Sequence, residues 1–327
     1  SSAASDVYKR QKYIGIIGGT GTIGSIIVKY LLQLQTHFHV LIGGRRSIKE
    51  ISMSTFYNSE RLKYNQMNYN NDVELDNFCS QCLLVINAVG PSFKINDKIA
   101  LHALRNNCHY IDIGGYGILR DLLKPYEKSI EAQKLCFIIG VGWMPGISGV
   151  FSKTIIETHL NSPENTNFNI YYGAVDNWSY SSTYDLAASS MGKTRSYVYS
   201  HGKEIQVSPF RYTHHKFFPF IGHKKICMPS FDEQLTQLAT SLKQIRKIST
   251  FIMLNDYISM GKFMFIKIFY KHNLNKATLM LQDDYQRLVK KENKWGSVIC
   301  QVSKIEPERK IDTFYYLYTK NNLLYTA

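Results

Sequence analysis

Apolar positions in the first 140 residues fall into short runs divided by amphipathic stretches, and the alternation repeats along the chain. Tyr13–Ile17 (YIGII) is a run of strand length. Ile23, Ile26, Ile27, Tyr30 and Leu31 then recur at helical spacing, predicting a helix from about Thr22. Strands are predicted at 39–42 and 64–69, and a short helix at 72–79. LLVINAV (83–89) is apolar almost throughout, as in a parallel strand covered on both faces. A helix at 95–106, a strand at 110–113, a helix at 119–134 and a strand at 136–139 complete the pattern. Strand and helix alternation of this kind predicts a doubly wound parallel sheet.

Beyond Pro145 the rhythm changes. A helix is expected at 147–160, a strand at 169–175 and a hairpin from 195–200 and 203–207. Amphipathic helices are expected at 232–247, 250–270 and 274–290, then strands at 296–304 and 313–318. The fold class expected is α/β: an N-terminal Rossmann doubly wound sheet followed by a second, mixed α+β domain. The expected division is 12–148 for the first domain and 149–327 for a substrate and dimerisation domain. Residues 1–11 match nothing that follows and read as a non-native leader, and the chain is expected to be cut short at its C-terminus.

The turn after the first strand carries candidate chemistry. Gly19, Gly21 and Gly24 stand at G-x-G-x-x-G spacing, with Gly18 as an extra small residue. The first glycine allows the tight turn, the second lets a pyrophosphate approach the backbone, and the third lets helix and strand pack closely. Thr22 and Ile23 open the helix, whose N-terminal N–H groups and dipole favour phosphate. The alternative is a tight turn with only a structural purpose. The second strand ends in Gly43-Gly44-Arg45-Arg46-Ser47. An Asp or Glu there would bind a ribose 2′-hydroxyl, whereas two arginines and a serine match a 2′-phosphate. NADP(H) is therefore expected over NAD(H). Asn87, Val89, Gly90 and Pro91, at the end of the fourth strand, are expected against a ribose of the same cofactor.

Composition narrows the partners. The net charge is +14, yet the 39 basic residues are scattered and form no block of like charge. Nucleic acid and membrane are not expected as partners, and no uninterrupted apolar run has spanning length. Six cysteines lack the spacing of a disulfide framework, which suggests a cytoplasmic setting. Cys79 and Cys82 form a C-x-x-C without a second pair. His214, His215 and His223 lie in a basic, aromatic stretch read as loop, with no further ligands at suitable spacing. No metal is expected.

Several segments agree in order with one family: GGTGTIG (18–24), LIGGRRS (41–47), VINAVGPSF (85–93), CHYIDIGG (108–115) and GVGWMPGISG (140–149), with SSMGKTRSYVYSHGK (189–203) looser. The chain resembles the saccharopine dehydrogenase-like (saccharopine reductase) family of NADP-dependent oxidoreductases. The resemblance implies a Rossmann domain followed by a mixed domain, a homodimer, and hydride transfer from NADPH to an imine or similar C=N substrate. Alternatives are an enoyl or carbonyl reductase on a carrier-bound acyl chain, and a non-catalytic NADP-sensing protein.

Imine reduction needs a positioned hydride and a proton source. Asp112 and Tyr116, near the end of the fifth strand, are the candidates for orienting an amine and donating a proton. Trp143 and Met144 are expected to wall the nicotinamide face. Arg195 and Arg211 are candidates for binding substrate carboxylates.

Overall fold

The computed structural model describes residues 13–34, 38–47, 59–114, 117–159, 163–191, 196–270 and 272–320. The chain divides between Gly142 and Trp143 into two compact units, where the sequence pattern put the boundary after residue 148.

In the first unit, β1 (Tyr13–Ile17) lies in the middle of a six-stranded sheet. Around it run β2 (His39–Gly44), β3 (Leu62–Gln66), β4 (Cys82–Asn87), β5 (His109–Asp112) and β6 (Phe137–Ile139), in the order β3-β2-β1-β4-β5-β6. All pairings are parallel. The two-residue period of a strand sends Ile16 and Ile17 to opposite faces. Ile16 packs with Ile42 and Ile86 under Ile27 and Val28 of α1 (Thr22–Gln33). Ile17 packs with Leu41 and Val85 under Leu75 and Phe78 of α2 (Asp72–Cys79), and under Ile99 and Ala103 of α4 (Lys98–Arg105). Each such buried aliphatic side chain contributes about 1.5–3 kcal/mol. The short α3 (Ser92–Ile95) lies between β4 and α4. At the start of α2 the Asn71 side chain accepts from the Val73 and Glu74 N–H groups, filling two donors the helix cannot satisfy itself.

Strand order reverses between β1 and β4. An open sheet forms a ligand crevice at the carboxyl ends of the strands flanking such a point. The helix expected at 119–134 is broken into α5 (Gly117–Leu123), a 3-10 turn at Lys124–Tyr126 and α6 (Glu127–Ala132). Pro125 lacks the N–H an uninterrupted helix would use there.

The second unit is built on a sheet of order β10-β11-β12-β7-β13-β14. Its strands are β7 (Thr166–Val175), β10 (His214–Phe218), β11 (His223–Pro229), β12 (Lys247–Leu254), β13 (Trp295–Ile305) and β14 (Lys310–Thr319). The hairpin of β8 (Ser196–Ser200) and β9 (Lys203–Val207) joins through β12. Pairing is mixed: β7 and β12 are parallel, the others antiparallel.

One face, with Phe168, Ile170, Ile252, Leu254, Val298 and Cys300, is covered by helices. These are α7 (Ile147–His159), α8 (Tyr180–Met191), α10 (Glu233–Ser241), α11 (Tyr257–Phe269) and α12 (Leu274–Lys291). The other face carries Tyr171, Phe251, Phe218, Trp295 and Ile299. There the sheet curls until its first strand meets its last. The Lys216 ammonium of β10 donates to Gln301 Oε1 of β13 at 2.5 Å and lies 5.0 Å from the Phe314 ring of β14. Phe220, just past β10, stacks on Tyr316.

Other segments depart from the sequence pattern: the strand expected at 64–69 is β3 at Leu62–Gln66, the helix expected at 95–106 is divided into α3 and α4, and α8 was not expected. Residues 250–254, expected as helix, belong to β12 and are buried on both faces; a short apolar run does not declare its period. Asp256 then starts α11 by accepting the Ser259 N–H at 2.9 Å. The helix expected at 232–247 ends at Ser241, where the chain turns into β12. The stretch around His214 and His223, read as loop, is the hairpin of β10 and β11; its charges disguised the strands, although Lys225 is buried and Lys216 half-buried in the sheet. Among the described residues, no helix is long and apolar enough to cross a membrane.

Candidate nucleotide site and a second cavity

The first site is made of backbone. Gly18 has φ of 84°, a left-handed conformation, and its N–H donates to the Gly43 carbonyl at 2.8 Å. Its oxygen accepts the Gly21 N–H at 2.8 Å, closing the turn. A Cβ on Gly18 would stand 2.9 Å from Val89 Cγ2, and one on Gly19 2.9 Å from Ile42 Cγ2. A Cβ on Gly24 would collide with the Gly18 carbonyl oxygen and stand 2.8 Å from Gly19 Cα. Gly24 thus brings α1 onto the turn, and Gly18, counted in the sequence as an extra small residue, shapes the turn itself. Gly21 caps α1 without any side-chain hydrogen bond. Thr22 and Ile23 follow, so the first-turn N–H groups and the positive end of the helix dipole are left for a ligand.

Beside this turn, β2 ends at Gly44 and is followed by Arg45, Arg46 and Ser47. Both arginines are exposed, and neither guanidinium has an ion-pair partner among the described residues. Their peptide is fixed from the neighbouring strand. The Tyr64 hydroxyl lies 2.8 Å from the Gly44 oxygen and 2.6 Å from the Arg46 oxygen, and Gln66 Nε2 donates to the Arg45 oxygen at 3.4 Å. The turn, the helix N-terminus that no side chain caps and two exposed guanidiniums meet the requirements of a 2′-phosphorylated dinucleotide. Sequence spacing alone did not single out Tyr64 and Gln66, because their contribution is to the loop carbonyls.

Across the switch point, the Ala88 N–H donates to the Ile17 oxygen at 2.9 Å, holding the β4 end against the glycine turn. Asn87 is buried. Its Oδ1 accepts the Val89 N–H at 3.0 Å, and its Nδ2 donates to Asp112 Oδ2 at 2.8 Å. Val89, Gly90 and Pro91 form the loop so tethered. Asp112, 2% exposed, also accepts from the Tyr110 hydroxyl at 2.6 Å and the Gly114 N–H at 2.9 Å. Burial, with the Asp112 carboxylate beside it, pushes the Tyr110 phenol well above its ordinary range. The structure therefore shows Asp112 fastening the ends of β4 and β5. A shallow recess adjoins it, lined by Asn87, Ser92, Phe93, Asn96 and Asp112 among others. Tyr116 and Arg195 lie outside the described residues.

Cys79, Cys82 and Cys108 are buried together, the Cys108 thiol donating to the Cys79 and Cys82 carbonyls at 3.1 and 3.2 Å. Burial pushes the Cys108 thiol up to about 12. The C-x-x-C is packing for the core. His214 packs on Tyr171 and Phe251, and His215 Nε2 lies 2.7 Å from the Tyr257 hydroxyl. Among the described residues, no group of three His, Cys, Asp or Glu is arranged to hold a metal ion.

In the second unit, Trp143 and Met144 line a small cavity of about 50 Å³ on the helix-covered face of the sheet. Tyr172, Gly173 and Ala174 of β7 contribute, with Ile252 and Leu254 of β12 and Leu186 of α8. Phe263 of α11 and Leu281 and Tyr285 of α12 add to the lining. Trp178 stacks on Tyr285, ring centres 4.6 Å apart and planes at 8°. Arg211, exposed on α9 (Pro209–Tyr212), is not part of the lining.

Residues 14–136 match the family model described as the saccharopine dehydrogenase NADP binding domain. No curated protein matches the sequence. Among solved structures, C. glutamicum DAP dehydrogenase in complex with DAP is 10% identical, with 97% of this chain and 85% of that chain covered and a TM-score of 0.46. An engineered D-amino acid dehydrogenase bound to NADP+ is 9% identical, with the same coverage and a TM-score of 0.46. A putative epimerase from Bacteroides thetaiotaomicron is 23% identical over 33% of this chain, with a TM-score of 0.27, and the chain spans only 49% of its length.

Proposed function

We propose, for a chain whose residues 14–136 are a saccharopine dehydrogenase NADP-binding domain, that the protein is an oxidoreductase passing hydride from NADPH to an imine or a similar polarised double bond. NADP(H) is the cofactor of such a domain. When bound, it supplies the hydride; everything else is positioning and electrostatics from the protein. Gly18, Gly19, Gly21 and the N–H groups that open α1 would hold the pyrophosphate. Arg45, Arg46 and Ser47 would take the 2′-phosphate. Asn87 and Asp112 would keep the Val89–Pro91 loop in place against the cofactor's ribose.

The observation carrying this reading is a pair of exposed guanidiniums, without an ion-pair partner among the described residues, beside a helix N-terminus that no side chain caps. No acidic side chain stands at the end of β2 to favour a free 2′-hydroxyl. Six free cysteines, five of them buried, support work in the reducing cytoplasm, and we take the working unit to be a homodimer, to be checked by sedimentation. The test of function has two stages. NADPH and NADH are first titrated against the protein by nicotinamide fluorescence. Oxidation of bound NADPH is then followed with amine-plus-carbonyl mixtures. Tight NADPH binding with turnover of a C=N compound is expected; equal affinity for NADH, or binding with no turnover of any such mixture, would reject the proposal.

A further inference from the structure

The cavity of the second unit has a chemistry its charged neighbours conceal. Asp284 lines it, but its carboxylate is already paired with Arg287 at 2.8 Å and Lys262 at 3.3 Å. Asp256 takes the other side of Arg287 at 2.7 Å, so two acids and two bases cancel. Asn255 Oδ1 accepts the buried Lys225 ammonium at 2.5 Å. The Ser259 hydroxyl is tied to Asp256 and Arg287, and the Tyr172 hydroxyl donates to the Ser230 oxygen at 3.3 Å. What remains facing the space is aliphatic and aromatic.

Tyr285 is the exception. Its ring is clamped against Trp178, and its hydroxyl has no hydrogen-bond partner among the described residues. Burial, helped by the neighbouring Asp284 charge, raises the phenol well above its ordinary range, so it stays a neutral donor.

We infer that this cavity binds a neutral, largely apolar small molecule through one hydrogen-bond acceptor, a carbonyl oxygen or imine nitrogen held by the Tyr285 hydroxyl. The space is small, and one convergent polar group among apolar walls is how such sites fix orientation. A dicarboxylic amino acid finds no free cation among the lining residues, and burying its carboxylates without partners is costly. The inference rests on the oxidoreductase reading for its meaning as a substrate site, and among the alternatives it favours an acyl-chain compound over an acidic amino-acid imine. Tyr285 is here a positioning residue.

The experiment uses the full chain and three probes of equal chain length: 2-pentanone, pentanoate and pentane. Binding is followed by calorimetry and by quenching of tryptophan fluorescence, with NADPH affinity measured separately on the same sample. The ketone is expected to bind tightest. Tyr285→Phe keeps the stacked ring and is expected to weaken the ketone about tenfold while leaving pentane and NADPH unchanged. Leu281→Trp fills the space and is expected to abolish all three probes; should it fail to fold, Tyr285→Phe alone decides. Preference for pentanoate, no ketone binding, or an unchanged ketone affinity in Tyr285→Phe would overturn the inference. Loss of NADPH binding with ketone binding intact would instead sink the oxidoreductase reading, so the two failures are separable.

Discussion

The glycine turn of the first unit and the cavity of the second are made of opposite materials. In the turn, ligand-facing groups are main-chain N–H donors, and the glycines matter for the Cβ atoms they lack. In the cavity, the walls are large side chains from residues as far apart in the chain as Trp143 and Leu288, and the charged groups are spent on one another. The arginines show the contrast on one residue type. Arg45 and Arg46 are exposed, without an ion-pair partner among the described residues, whereas Arg287 bridges two carboxylates. A backbone site tolerates almost no change at its glycines. A side-chain site should tolerate volume-conserving exchanges and respond to changes in polarity.

The sharpest way to break that comparison is Gly24→Val. The added atoms meet backbone at Gly18 and Gly19, which cannot move aside as a side chain would. A stability loss of about 1–3 kcal/mol is expected from such overpacking, together with loss of NADPH binding. Thermal unfolding and nucleotide fluorescence report the two effects, and a variant that binds NADPH normally would remove the turn from the site. Next is Asp112→Ala, which strips the acceptor from Asn87 Nδ2, the Tyr110 hydroxyl and the Gly114 N–H. A cost of about 1–3 kcal/mol is expected for buried donors left unmade. Urea denaturation measures it, and a variant as stable as the parent would free Asp112 for a chemical role. Arg45→Ala with Arg46→Ala should lose tenfold to a hundredfold in NADPH affinity, about 1.5–3 kcal/mol for hydrogen bonds to a charged group. NADH affinity should stay constant; an equal loss for both forms would place the arginines elsewhere.

The smallest effect concerns acid. Burial opposes ionisation of Asp256, but Arg287 and the Ser259 N–H and hydroxyl outweigh it and hold the carboxyl well below its ordinary value of 3.8. A depressed folded-state value means the pair stabilises fully above 3.8 and loses its contribution as pH falls through the folded value. Melting temperature should therefore fall less steeply below pH 4 in Asp256→Asn than in the parent. Parallel curves would show that this pair does not couple folding to pH.

The same difference of materials explains what could be read from the sequence. G-x-G-x-x-G spacing and the Arg45-Arg46 pair are local, and the other parallel strands of the first unit were visible as short apolar runs, whereas β3 (LKYNQ) is polar and was expected two residues late, at 64–69. In the second unit, residues 250–254 looked helical because an apolar run covered on both faces carries no period. The β10 and β11 hairpin was hidden by its charges, with Lys225 buried and Lys216 half-buried within the curled sheet rather than facing water as composition suggests. No sequence signal paired Trp178 with Tyr285; only the packing of α12 brings them together.

The way the loop after β2 is fastened has an evolutionary corollary. Tyr64 and Gln66 grip peptide oxygens, not the guanidines those peptides display. The two side chains can therefore be exchanged while the ledge beneath them keeps its shape. On the proposed reading, coenzyme preference is a detachable trait, open to drift or redesign at two positions without rebuilding the fold that presents it.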